Sequence, residues 1–155
     1  MSTPAPQAVK LADYRPSPYS IDTVDLQISL DPVATRVRSR LAIRRNPAST
    51  EAGAPLVLDG ESIALCAILL DGKALAAESY TLSPRSLTIA SAPQQPFLLE
   101  IETTCNPQAN TALSGLYTSN GSFFTQCEAE GFRRITYFLD RPDVMAVYNV
   151  LLRAD

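Results

Sequence analysis

Val24-Asp25-Leu26-Gln27-Ile28-Ser29-Leu30 alternates apolar and polar residues without a break. A period of two places Val24, Leu26, Ile28 and Leu30 on one face of an extended chain, so the stretch predicts a half-buried strand. Asp31-Pro32 follows as a turn. The next run, 35–45, alternates again, with Val37, Leu41 and Ile43 on one face and Arg36, Arg38, Arg40 and Arg44 on the other. The two runs read as a hairpin. The arginine row is either an anion-binding strip or a solvated sheet face paired with acidic neighbours such as Asp25. The second reading is the ordinary one for charges on a sheet.

The same short period continues outward. Strand-like runs at 55–58, 67–70, 80–82, 86–89, 97–103, 115–117 and 123–126 are separated by Asp59-Gly60, Asp71-Gly72, Pro84, Asn106-Pro107 and Asn120-Gly121. Asp-Gly and Asn-Gly tolerate positive φ at both central positions and are strong hairpin signals. The runs 134–139 and 145–152 are expected to be strands, with Asp140-Arg141-Pro142-Asp143 between them as a turn that has Asp140 as its N-cap. No segment before residue 140 keeps a period of 3.6. Short strands with Pro and Gly between them predict an all-β fold, an antiparallel β-sandwich or a curved saddle-like sheet. Residues 1–18 carry Pro4, Pro6, Pro16 and Pro18 and read as an extended, partly loose lead-in. Residues 19–155 read as one β-domain. Because the sequence stops on a fresh strand, the expectation is a domain that lacks its last strands.

Composition excludes several functions. The chain has 155 residues, 46% of them hydrophobic, enough for one domain with a core. Thirteen basic and sixteen acidic residues give a charge of −3, without the excess of cations that nucleic-acid binding requires. There is no histidine, so the chain cannot hold a Ser-His-Asp or Cys-His set, or an H-E-x-x-H zinc site. Cys66, Cys105 and Cys127 form no C-x-x-C pair and read as free, structural thiols, with Cys66 a small buried hydrophobe in the apolar run 63–70. That run is far shorter than the roughly 20 residues needed to cross a bilayer. No secretory signal pattern opens the chain. The expectation is a soluble, cytoplasmic protein with no membrane or nucleic-acid partner.

The densest polar constellation is Thr125-Gln126-Cys127-Glu128-Ala129-Glu130-Gly131. If extended, Gln126, Glu128 and Glu130 share a face. A carboxylate beside a carboxamide oxygen suits an ammonium group, which brings three donors and a positive charge. Paired carboxylates also suit acid/base chemistry or a hard cation such as calcium or magnesium. A solvated acidic turn is the bland alternative. Phe123, Phe124, Tyr137 and Phe138 are expected in the core rather than in a pocket.

Three blocks carry a resemblance. Asn110-Thr111-Ala112-Leu113-Ser114-Gly115-Leu116-Tyr117, Thr125-Gln126-Cys127-Glu128-Ala129-Glu130-Gly131-Phe132-Arg133 and Ile135-Thr136-Tyr137-Phe138-Leu139-Asp140-Arg141-Pro142-Asp143-Val144 resemble the bacterial aminopeptidase N family in sequence and spacing. Tyr14-Arg15-Pro16-Ser17-Pro18-Tyr19 and 21–26 are similar to that family's start. The resemblance implies a zinc exopeptidase that removes N-terminal residues from peptides, with this chain as its N-terminal β-domain lying over a thermolysin-like catalytic domain. It implies that Gln126 and Glu128 bind the α-ammonium group of the substrate's N-terminus. It implies no role for Glu130, which reads as a structural carboxylate. The family's His-Glu-x-x-His helix and Gly-Ala-Met-Glu-Asn motif do not occur here. The resemblance therefore implies that the chain has no catalytic residue, metal ligand or cofactor of its own, that zinc belongs to the parent enzyme, and that the catalytic domain is the missing partner. The competing expectation is a stand-alone, non-catalytic β-module that binds a protein or ligand. A third is a cation site at Glu128 and Glu130.

Overall fold

The computed structural model describes residues 11–51 and 53–154. Eleven strands occur among them: β1 (Tyr19–Ser29), β2 (Thr35–Arg45), β3 (Leu56–Asp59), β4 (Ala64–Leu70), β5 (Lys73–Ala74), β6 (Thr81–Ser83), β7 (Ser86–Ile89), β8 (Phe97–Cys105), β9 (Gly115–Ser119), β10 (Ser122–Gln126) and β11 (Val147–Arg153). The only helical segments described are single 3-10 turns at Leu11–Asp13, Ala77–Ser79 and Phe132–Arg134. The all-β expectation holds.

The β1–β2 hairpin is the centre of a six-stranded sheet in the order β11-β1-β2-β8-β4-β5. In β2, Thr35, Val37, Ser39, Leu41 and Ile43 are buried while Arg36, Arg38 and Arg40 are exposed. A register shift between Ile21 and Thr23 lets Ile21 and Val24 both face the core. Leu56, Leu58, Leu87 and Ile89, from the three-stranded sheet β3-β7-β6, join the same core cluster as Tyr19, Val24, Leu41, Phe97 and Leu99. The result is a sandwich of one large and one small sheet. The turns are as expected: Asp71 and Gly72 have φ of 49° and 76°, and Asn120 and Gly121 of 49° and 78°.

Five expectations are corrected. First, residues 134–139 form no strand, and Asp59↔Phe138 is an isolated antiparallel bridge. Ile135, Thr136, Tyr137, Phe138 and Leu139 are all buried, so the segment threads the interior with no solvent side. Its polar groups are met by Asp59, by Ser39 Oγ at 3.0 Å from Thr136 Oγ1, and by Thr103 Oγ1, which donates to the Ile135 carbonyl at 3.2 Å. Second, Asp140 does not cap its own turn; its carboxylate turns back to the Arg133 backbone N–H at 3.1 Å. Third, β11 pairs with β1 in parallel, whereas the other described pairs are antiparallel. Its chain arrives through a long crossover rather than a hairpin, as a parallel neighbour requires. Fourth, Cys66 is exposed, because a register shift between Leu65 and Ala67 turns it outward. Fifth, Phe124 is 46% exposed and stacks on Tyr117 with ring centroids 5.7 Å apart, while Tyr137 and Phe138 are buried.

The arginine row is a solvated face. Its partners are Glu102, which takes Arg36 at 3.3 Å and Arg38 at 2.6 Å, and Asp22, which takes Arg44 at 3.0 Å. Asp25 accepts instead from Asn149 of β11. The proline-rich start of the lead-in, 1–10, lies outside the described residues. Its later part is docked: the Tyr14 hydroxyl donates to Asp143 at 2.7 Å, and Arg141 donates to the Arg15 carbonyl at 2.8 Å. Arg141 also makes a bidentate pair with Asp143, so this arginine joins the lead-in to its own turn rather than strand to strand.

Candidate functional site

The polar loop follows directly from the β9–β10 hairpin. β10 ends at Gln126, and so does the extended spacing on which a face shared by Gln126, Glu128 and Glu130 depended. The chain then curls on itself, with Gly131 N–H donating to the Cys127 carbonyl at 2.9 Å. Gly131 is buried, and a Cβ there would meet the Gln126 carbonyl oxygen, with Cys127 Cα at 2.8 Å and Ser114 Oγ at 3.1 Å. Only glycine permits so close a return.

Within this curl the amide of Gln126 is oriented by its surroundings. Nε2 donates to the Glu128 carbonyl at 2.8 Å. A carbonyl needs a donor, so the amide oxygen faces the other way. Among the described residues, neither that oxygen nor the Glu128 carboxylate has a protein partner, and both side chains are exposed. Glu130 is drawn away. It adopts φ of 67°, and its carboxylate lies 3.5 Å from Arg133. Gln126 and Glu128 are thus joined through the amide–carbonyl bond and together present three oxygens that have no protein partner among the described residues, while Glu130 lies beside Arg133. Among the described residues, no group of three or more Cys, Asp or Glu side chains could hold a metal ion.

Cys127 lies between the two acceptors but is half-buried. Burial, with the Asp140 charge as a smaller cause, pushes its thiol above the usual range, which disfavours the reactive thiolate. Burial also pushes Cys105 up to about 11.

Several residues that hold the loop carry no obvious signal in the sequence. Arg133 donates through Nε to Asp140 at 2.8 Å and through Nη2 to the Asp140 carbonyl at 3.0 Å. Burial alone would lower its pKa, but the Asp140 hydrogen bond and the charges of Asp59, Asp140 and Glu130 outweigh it and hold the cation. Asp59 also accepts from the Asp140 N–H at 3.2 Å. On the other flank, Asn110 donates to the Ser114 and Leu116 carbonyls at 2.8 Å each. That fixes the turn into β9 against Gly131. Asn110 and Arg133 stand inside the quoted blocks, yet their partners are set by tertiary approach.

An all-β domain with a tethered loop of open acceptors and no histidine is the class these features define. Within that class, the chain belongs to the Peptidase M1 N-terminal domain family, whose sequence profile matches residues 16–155. It is 52% identical over 155 residues to aminopeptidase N of Caulobacter vibrioides, covering 100% of this chain and 18% of that protein. It is 41% identical to aminopeptidase N of Escherichia coli, covering 99% of this chain and 17% of that one. The chain thus spans about a sixth of the length of these curated relatives. The crystal structure of Legionella pneumophila aminopeptidase A in complex with aspartic acid matches with a TM-score of 0.85 and 35% identity, over 93% of this chain and 17% of that one. An M1 zinc metallopeptidase of Deinococcus radiodurans shares the fold, with a TM-score of 0.69 at 16% identity over 86% of this chain and 32% of that one. The resemblance to bacterial aminopeptidase N is borne out.

Proposed function

We propose that this chain works as the N-terminal domain of a zinc-dependent aminopeptidase, residues 19–155 forming the domain and 1–18 its lead-in. There it covers the active site and binds the α-ammonium group of the peptide substrate through Gln126 and Glu128. The observation that carries this reading is the pair of open acceptors at Gln126 and Glu128, in a chain 52% identical to an aminopeptidase N. An ammonium has three N–H donors, and the Gln126 amide oxygen and the Glu128 carboxylate offer three oxygens. An exopeptidase gains specificity by holding the terminus at a fixed distance from the scissile bond. Zinc, the general base and the groups that stabilise the transition state would come from the catalytic domain, which is this chain's partner. The isolated chain is inactive. Among the described residues no helix is long and apolar enough to cross a membrane, and a cytoplasmic location accords with free thiols at Cys66, Cys105 and Cys127.

Glu128→Gln in the full-length gene product is the test. Losing one charge-assisted hydrogen bond to the ammonium is expected to raise KM for an unblocked aminoacyl anilide roughly ten- to a hundredfold. An unchanged KM would remove Glu128 from the ammonium site.

A further inference from the structure

We propose that Arg133 is a positioning residue that sets the Gln126–Glu128 acceptors for the substrate's ammonium. This rests on the reading of Gln126 and Glu128 given above. The Arg133 side chain is only 12% exposed, and it contacts three carboxylates from three separate segments. Glu130 lies within the acceptor loop, at 3.5 Å. Asp140 follows the buried 135–139 thread, at 2.8 Å, and is also 12% exposed. Asp59 ends β3, at 4.0 Å. The backbone joins in, since Arg133 N–H donates to Asp140 at 3.1 Å and the Arg133 carbonyl accepts from the Glu61 N–H at 2.9 Å.

The geometry makes one guanidinium the link between an exposed loop and the core. Glu130 is three residues from Arg133 and two from Glu128. Pairing the exposed Glu130 with the anchored Arg133 fixes the direction in which the loop leaves Glu128. A planar fork is needed, because Nε and Nη2 serve Asp140 along one edge while Nη2 also reaches Glu130. A lysine supplies the charge but not the fork.

The full-length gene product is assayed with an unblocked aminoacyl p-nitroanilide, and its affinity for L-alaninol, an amine with no scissile amide, is measured by calorimetry. Glu128→Gln is the reference. Arg133→Met is expected to raise KM and the L-alaninol Kd about tenfold or more while kcat changes less than about threefold, with Arg133→Lys restoring only part of the loss. The Arg133→Met, Glu128→Gln double variant should be little worse than Glu128→Gln alone, because both changes act through the same carboxylate. If Arg133→Met does not fold, Glu130→Gln on the surface takes its place, with an expected rise in KM of about two- to fivefold. Several results would overturn the proposal. A lower melting temperature with KM unchanged would reduce Arg133 to a structural role, and so would effects of the two substitutions that multiply independently. KM unmoved in Glu128→Gln would defeat the underlying reading and the positioning role with it. KM raised in Glu128→Gln but not in the Arg133 or Glu130 variants would defeat the positioning role alone.

Discussion

Gly131 decides whether the acceptor loop can close. Its Cα faces backbone on two sides, the Gln126 carbonyl and Cys127 Cα, and neither can move aside as a flexible side chain would. Gly131→Ala must therefore open the curl. Overpacking of this kind costs about 1–3 kcal/mol, to be read as a lower urea midpoint. Opening the curl should also expose Cys127, so faster labelling of that thiol than in the unaltered chain is expected. Asp31 illustrates a different single-residue effect. The Ala34 and Val33 N–H groups, each 2.8 Å from its carboxylate, hold its pKa below the usual range, and Arg141 and Tyr14 do the same for Asp143 despite opposing burial. A folded pKa lower than the unfolded one means stability that is complete above the unfolded value and lost as pH falls through the folded one. Denaturation below about pH 4 should flatten in an Asp31→Asn, Asp143→Asn double variant. Asp31 was readable because its partners are two and three residues away. Asp140 was not, because its partner Arg133 reaches it only after the buried thread has turned the chain.

Alternation made the elements legible wherever one face of a strand meets water. β1, β2 and β8 show it in sequence and in burial. The pattern misleads where that condition fails. Residues 135–139 are buried on every side, so an apolar run there signals an interior thread rather than a strand. At Cys66 a bulge reverses the expected face. β11 was readable as a strand, but its parallel partner was not, since pairing direction depends on the path of the crossover. These environments should separate in denaturation. Leu41→Ala, in the most buried row of β2, is expected to lose about 2–5 kcal/mol. Val150→Lys on β11, 55% exposed, should stay within about 0.5 kcal/mol. The same lysine has a second expected effect. β11 shows exposed Val147, Val150, Leu151 and Leu152 on an edge that is unpaired among the described residues. An apolar edge is a template for another strand, and a charge there blunts it. Sedimentation velocity should show the isolated chain associating with rising concentration and the Val150→Lys variant doing so less. A concentration-independent monomer in both would contradict this.

At the scale of the molecule, the proposed function separates recognition from chemistry. The sandwich core, the Asn110 bracket and the Arg133 link all bear on one loop, and that loop offers acceptors without any group poised to transfer a proton or ligate zinc. Histidine is absent from the sequence, and among the described residues no three Cys, Asp or Glu side chains gather into a group that could hold a metal, while Asp22, Asp59, Glu61, Glu102, Glu130, Asp140 and Asp143 pair with arginines. This division was legible only in part. The missing histidine could be counted, whereas the commitment of Glu130 to Arg133, which leaves Glu128 as the open acid, required the folded loop. The consequence is that the isolated chain should release no nitroaniline from an unblocked aminoacyl anilide, with or without added zinc. Added zinc should likewise leave its melting temperature unchanged, because a metal raises stability only if the native state binds it more tightly than the unfolded chain does. Turnover that co-purifies with the chain and disappears on chelation would mean that a metal centre forms here. In that case Glu128 would have to be considered as a ligand rather than as an acceptor for the substrate's amine. Absence of turnover alone is weak, since a misfolded chain is also inactive. The informative result is a cooperative unfolding transition, no zinc shift and no turnover in the same preparation, because it shows a folded domain that neither binds zinc nor cleaves the anilide.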